Sequence, residues 1–199
     1  MTIAILLAVS LGIITGIFLA PASLVPHMGS LISGGLMLVL LLVGISVGRQ
    51  SGFLKQLRRM GLKILLVPLS VALGSILGGI TGGLLLGIPW HQAGAVGAGF
   101  GWYTFTAVEL SKHSAYLGTL AFITNMAREM IALVTIPLIA KYLGNLECVA
   151  TAGSPGMTVA LPVISSSTKD PNITIIAFIS GMVLAILVPV VVPFMMTLG

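Results

Sequence analysis

The feature that most limits this chain is uninterrupted apolarity. About seven segments, at 2–20, 30–48, 62–87, 93–111, 117–140, 148–165 and 173–198, run with almost no charge. Several reach the roughly 20 residues that a helix needs to cross a bilayer. Lipid offers the backbone no hydrogen bonds, so only helices or closed barrels span it. These runs are continuously apolar rather than alternating, which excludes a barrel. Composition excludes a soluble fold: only 7% of residues are charged, against roughly 25% in soluble domains. The expectation is an all-α, polytopic helical membrane protein, with residues 1–199 forming a single transmembrane transporter domain.

Residues 1–20 lack a basic lead and are long for a secretory signal, so they read as a retained first helix. The one cysteine, Cys148, rules out an internal disulfide and any cysteine metal cage. The net charge of +5 does not point to nucleic acid. Arg49, Lys55, Arg58, Arg59 and Lys63 cluster in one loop, as they do where charge sets membrane topology. That rule places loop 49–61 and the N-terminus in the cytoplasm of a cell membrane protein.

Two segments do not read as plain spans. Segment 93–111 contains Gly94, Gly97, Gly99 and Gly101; segment 148–165 contains Gly153, Pro155, Gly156 and Pro162. Glycine admits left-handed backbone and proline removes a donor, so each segment is predicted to be broken or re-entrant. Unwound backbone at membrane depth occurs where it lines a cavity or is buried in protein. A pair of such interrupted segments marks a transporter's binding site. The competing explanation is helix packing, because small residues let membrane helices approach closely.

Between them, the run 117–140 carries two charges, Arg128 and Glu129, near its middle. Each costs about 3 kcal/mol at the bilayer centre even on the lenient insertion scale. Neighbours on a helix point about 100° apart, so each charge needs a partner elsewhere, on another helix or in a cavity. Glu129 is a candidate to load a proton or attract an ammonium, and Arg128 to hold a carboxylate bidentately. The alternative is an interhelical pair that fixes packing. Asn125 shares a face with Glu129, and Thr124 with Arg128; both are candidate lining groups, as are Ser154 and Thr158. Glu109, Trp102 and Tyr103 are further candidates, against roles as an interfacial charge and as aromatic anchors. His27, His91 and His113 lack metal-ligand spacing. No phosphate loop, nucleophile elbow or zinc motif occurs, so neither an enzyme nor a cofactor is expected.

The stretches "LLLVGISVG" (around 41–48), "GAGFGWYTFTAVEL" (97–110), "NMAREMIAL" (125–133) and "AGSPGMTVALPVI" (152–164) together resemble the LysO-type lysine exporters of bacteria and archaea. The resemblance covers nearly the whole chain. It implies secondary active export of L-lysine or a related amino acid across the cytoplasmic membrane, with coupling to protons or another cation by antiport. By motif it carries over Gly101, Trp102, Tyr103, Asn125, Arg128, Glu129, Met157, Leu161 and Pro162. This chain has Thr158, Met126 and Lys112 where family members often have acidic residues. Longer members carry an extra N-terminal block of membrane segments, so a homodimer or a small second subunit is the expected complement. The rival to a carrier is a channel-like or structural membrane subunit.

Overall fold

In the computed structural model, residues 61–199 are described, together with positions 15, 34, 35, 38, 41 and 45. Segments 2–20 and 30–48 and most of the basic loop lie outside the described residues. The chain divides into two compact units, 1–44 and 45–199, and the account below concerns the second. All regular structure among its described residues is helical.

A short 3-10 turn leads into α1 (Leu66–Leu85). There follow α2 (Trp90–Gly97), α3 (Tyr103–Ser111), α4 (Ala115–Tyr142), α5 (Asn145–Ala152), a 3-10 turn (Ser154–Met157), α6 (Leu161–Thr168) and α7 (Pro171–Met196). Three of these, α1, α4 and α7, are long and apolar enough to cross a membrane. The short helices hold 8 or 9 residues each. At 1.5 Å per residue, each covers about half of a 30 Å hydrocarbon layer.

Caps fix where the long helices begin. The Ser114 hydroxyl accepts the Leu117 N–H at 3.1 Å to start α4. The Asp170 carboxylate accepts the Asn172 N–H at 2.8 Å to start α7, with Pro171 in the first turn. Both are polar N-caps that satisfy an orphan donor, and both mark points where the chain turns back.

Residue pairings give the direction of each element. A Cβ at Gly83 would strike Ala93, and one at Gly97 would lie 2.5 Å from the Ser75 carbonyl, so α2 runs antiparallel to α1. Gly118 packs against Ala107 and Ser111, and Tyr103 meets Phe122 edge-on at 5.4 Å, so α3 runs antiparallel to α4. Val67 packs against the cluster containing Ala132 and Ile136, placing the second half of α4 beside the start of α1. The α2–α3 pair therefore enters and leaves at the Leu85 end of α1. Cys148, Val149, Ile164 and Ile173 belong to that same cluster, so α5–α6 enters and leaves at the end where α1 starts. Both interrupted segments are broken, and each doubles back as a helical hairpin.

The result is two hairpin-plus-long-helix units running in opposite directions. The first is 90–142 and the second 145–196, their long helices starting at 115 and 171, 56 residues apart. Each long helix packs against both hairpins. Close approach of α1 and α2 depends on Gly79, where a Cβ would lie 2.8 Å from the Ala93 carbonyl, whereas Gly78 faces open space. Gly79→Val should cost about 1–3 kcal/mol through overpacking and lower the thermal midpoint in detergent. Gly78→Val should melt like the wild type; equal losses in both would contradict this packing.

Candidate functional site

The site is built where the hairpins break. In the first turn, Phe100 (φ +48°) and Gly101 (φ +92°) are both left-handed. For a phenylalanine this costs roughly 1–2 kcal/mol, so something must hold it. Asn125 does. Its Oδ1 accepts the Gly101 N–H at 2.8 Å, and its Nδ2 donates to Val96 O and Ala121 O, each at 3.0 Å. The residue is 2% exposed, and its amide closes the turn against α4. A Cβ at Gly99 would lie within 2.7 Å of the Asn125 amide and the Thr106 hydroxyl, which itself donates to Trp102 O at 2.8 Å.

The second turn opens with Gly153 (φ +65°) and passes through the buried Ser154, Pro155 and Gly156. The two turns meet. The Ser154 N–H donates to Phe100 O at 2.8 Å, and a Cβ at Gly101 would lie 2.9 Å from the Pro155 ring. Main chain from one end of the fold thus satisfies main chain from the other. The second turn also rests on α7, where a Cβ at Gly181 would approach Met157 N to 2.5 Å and Ser154 O to 2.8 Å.

The charges stand on either side of the buried stripe of α4 that runs through Asn125, Ala132 and Ile136. Arg128 sends its guanidinium toward the second turn: a Cβ at Gly153 would lie 3.0 Å from Nη2. Its Nη1 is buried and has no hydrogen-bond partner. The same side chain lines a cleft of about 390 Å³ with Ser70, Val71, Gly74, Ser75 and Ala150. Glu129 is half-buried. Arg128 and Glu129 form no ion pair; among the described residues the one ion pair is Lys112–Glu109, at 2.7 Å.

Of the predicted residues, Arg128, Asn125 and Ser154 converge on the paired turns. Trp102, stacked 5.2 Å from Phe105, and Tyr103 lie at the head of α3 beside the first turn. Thr158 closes the second turn, its N–H donating to Pro155 O at 2.9 Å, and its side chain is exposed. Two residues fall elsewhere. Glu109 sits at the far end of α3, tied to Lys112, because the hairpin carries it back to its own edge. Thr124 lines a separate groove of about 230 Å³ with Gly78, Gly82 and Leu120. Asn125 holds backbone rather than offering its amide to a ligand. One group was absent from the sequence reading: Ser180, 1% exposed, whose hydroxyl has no partner. The signal was present as a Ser-Gly pair inside the most apolar run. No cluster of metal-ligating side chains occurs among the described residues.

Long apolar helices joined by broken, doubled-back half-helices define a polytopic helical membrane protein. More particularly, the chain belongs to the lysine exporter LysO family, whose profile matches residues 6–196. It is 30% identical over 162 residues to the lysine exporter LysO of Escherichia coli K12, covering 80% of this chain and 52% of that protein. It is 31% identical over 110 residues to a putative lysine exporter of Haemophilus influenzae, covering 55% of each. The chain thus spans about half the length of the curated relatives it matches. No solved structure matches it.

Asn125→Ala should leave the buried Gly101 N–H without an acceptor and take one donor from the Val96 carbonyl, which keeps the Gly99 N–H at 3.2 Å. At about 1–3 kcal/mol for a buried group left unsatisfied, the variant should unfold well below the wild type in detergent. A melting curve superimposable on the wild type would show that the amide does not hold the turn.

Proposed function

We propose that this chain is the carrier portion of a secondary transporter that exports L-lysine, or a closely related amino acid, from the cytoplasm in exchange for protons. The observation that carries the reading is the buried, unpartnered Arg128 Nη1 beside two broken hairpins that meet tip to tip. An arginine placed there for packing would be expected to have an anionic partner. An arginine placed there for a ligand would stand idle until a carboxylate arrives.

In this reading Arg128 holds the carboxylate of the amino acid. Glu129, on the other flank of the same stripe, takes either a proton or the substrate ammonium. One carboxylate cannot hold both, so the two are exchanged rather than carried together, which is antiport by mutual exclusion. The hairpins supply gating: each reaches the middle from its own end, so withdrawing one opens the site to one side alone. The basic loop before α1 supports a cytoplasmic position for the start of α1. The α5–α6 hairpin would then face the cytoplasm and α2–α3 the exterior of the cell membrane.

The relatives' names as lysine exporters support the substrate class. The channel-like or structural alternative has less support, because among the described residues neither Arg128 nor Glu129 has an ion-pair partner on another helix. Uptake of labelled lysine into everted vesicles, with and without an imposed pH gradient, tests the reading. Wild type should show gradient-driven uptake and counterflow, and Glu129→Gln should lose the response to the gradient. Equal gradient-driven uptake by both would remove Glu129 from the coupling; absence of counterflow in the wild type would favour a scaffold.

A further inference from the structure

The two hairpin-plus-helix units correspond residue by residue. Asn125 bonds the main-chain N–H of Gly101, 24 residues earlier. In the second unit Gly181 lies against the main-chain nitrogen of Met157, also 24 residues earlier. Ala121 accepts from the Asn125 amide, and its counterpart Ala177, again 56 residues on, sets its carbonyl 3.2 Å from where a Gly156 Cβ would lie. The chain is therefore an inverted structural repeat, with Asn125 matched by Gly181, Thr124 by Ser180, Arg128 by Leu184 and Glu129 by Ala185. All the charge at the breaks comes from the first repeat.

The match exposes an imbalance. In the first repeat a side chain stitches the turn to its long helix. In the second repeat Gly181 supplies none, and the turn rests directly on α7. Beside Gly181 the Ser180 hydroxyl is buried with no partner. It is flanked along the helix by Gly181 and Ala177, both of which touch the turn. The buried side-chain atoms left without a partner among the described residues are Arg128 Nη1 and Ser180 Oγ. One comes from α4 and one from α7, and the same turn, 153–157, lies against both helices. A buried hydroxyl left unmatched is costly, and both unmatched donors stand on helices that pack against this one turn.

We propose that Ser180 is a contact for the transported molecule, donating its hydroxyl to the same carboxylate that Arg128 holds when the second turn withdraws. This rests on the transporter reading above and adds a residue from the second repeat to it. The α6 helix, which starts at Leu161 just beyond the turn, presents its positive end toward the same region and favours an anionic group there.

The test introduces Ser180→Cys in a Cys148→Ser background, reconstituted in liposomes and exposed to the anionic thiol reagent sulfonatoethyl methanethiosulfonate. Ile179→Cys, equally buried on the same helix, is the packing control. Ser180→Cys should be modified far faster than the control. Lysine should protect it, and 1,5-diaminopentane, which lacks the carboxylate, should not. Labelling no faster than the control would overturn the proposal. So would labelling that no amino acid slows, or that diaminopentane slows as well as lysine does. Protection by another amino acid but not by lysine would uphold the role of Ser180 and overturn lysine as the substrate. Ser180→Ala gives an independent reading: KM for the transported amino acid should rise about tenfold with kcat near the wild-type value, the loss expected for one hydrogen bond to a charged group. An unchanged KM would also overturn it.

Discussion

Everything in this fold turns on how a backbone broken at membrane depth satisfies itself. A continuous helix uses its own carbonyls and N–H groups; a helix stopped halfway leaves several of each exposed where no water competes. Here the two breaks answer each other. The Ser154 N–H takes the Phe100 carbonyl, and the Asn125 amide takes up Gly101, Val96 and Ala121. Glycines at 99, 101, 153 and 181 let these main chains come close enough for the bonds to form. The left-handed Phe100 is tolerated because this network leaves it no other conformation. The long helices α4 and α7 serve as the two walls against which both turns are pinned.

That arrangement explains why polar groups can collect in so apolar a chain. A turn rather than a helix faces Arg128, so the guanidinium meets backbone at Gly153 and not a wall of methyl groups. The inverted repeat places the second wall, Ser180 and Gly181, at the position that Thr124 and Asn125 occupy in the first. The two repeats have diverged: the first carries Arg128 and Glu129, and the second has Leu184 and Ala185 at the matching positions. The first turn is stitched to its long helix by the Asn125 side chain, whereas the second rests on α7 through Gly181 and bonds within itself through Gly156, Thr158 and Ala160.

Much of the architecture was legible in the sequence. The apolar runs gave the long helices to within a few residues, and the clustered Gly and Pro of 93–111 and 148–165 marked both breaks. Re-entry was left open there, because composition cannot say whether the chain continues or doubles back after a break; that depends on which partner each half-helix packs against, as Gly118 does against Ala107 and Ser111. The role of Asn125 was also hidden. Its spacing put it on the face of Glu129, but two of its three bonds go to backbone 24 and 29 residues away, which periodicity does not reveal. Ser180 was overlooked because a single hydroxyl in an apolar run reads as packing. Its position 56 residues after Thr124 acquires meaning only when the two units are seen to run in opposite directions.

The central claim is that hairpins from opposite ends meet tip to tip. A cysteine pair tests it most directly, because the hydrogen bond between Ser154 and Phe100 brings their main chains within the range a disulfide needs. In a Cys148→Ser background carrying Phe100→Cys and Ser154→Cys, mild oxidation should form an intramolecular disulfide in the membrane-embedded protein. Transport should stop with it and return on reduction. Failure of the folded protein to cross-link, while each single cysteine remains reactive, would contradict the meeting of the two turns and the site built upon it.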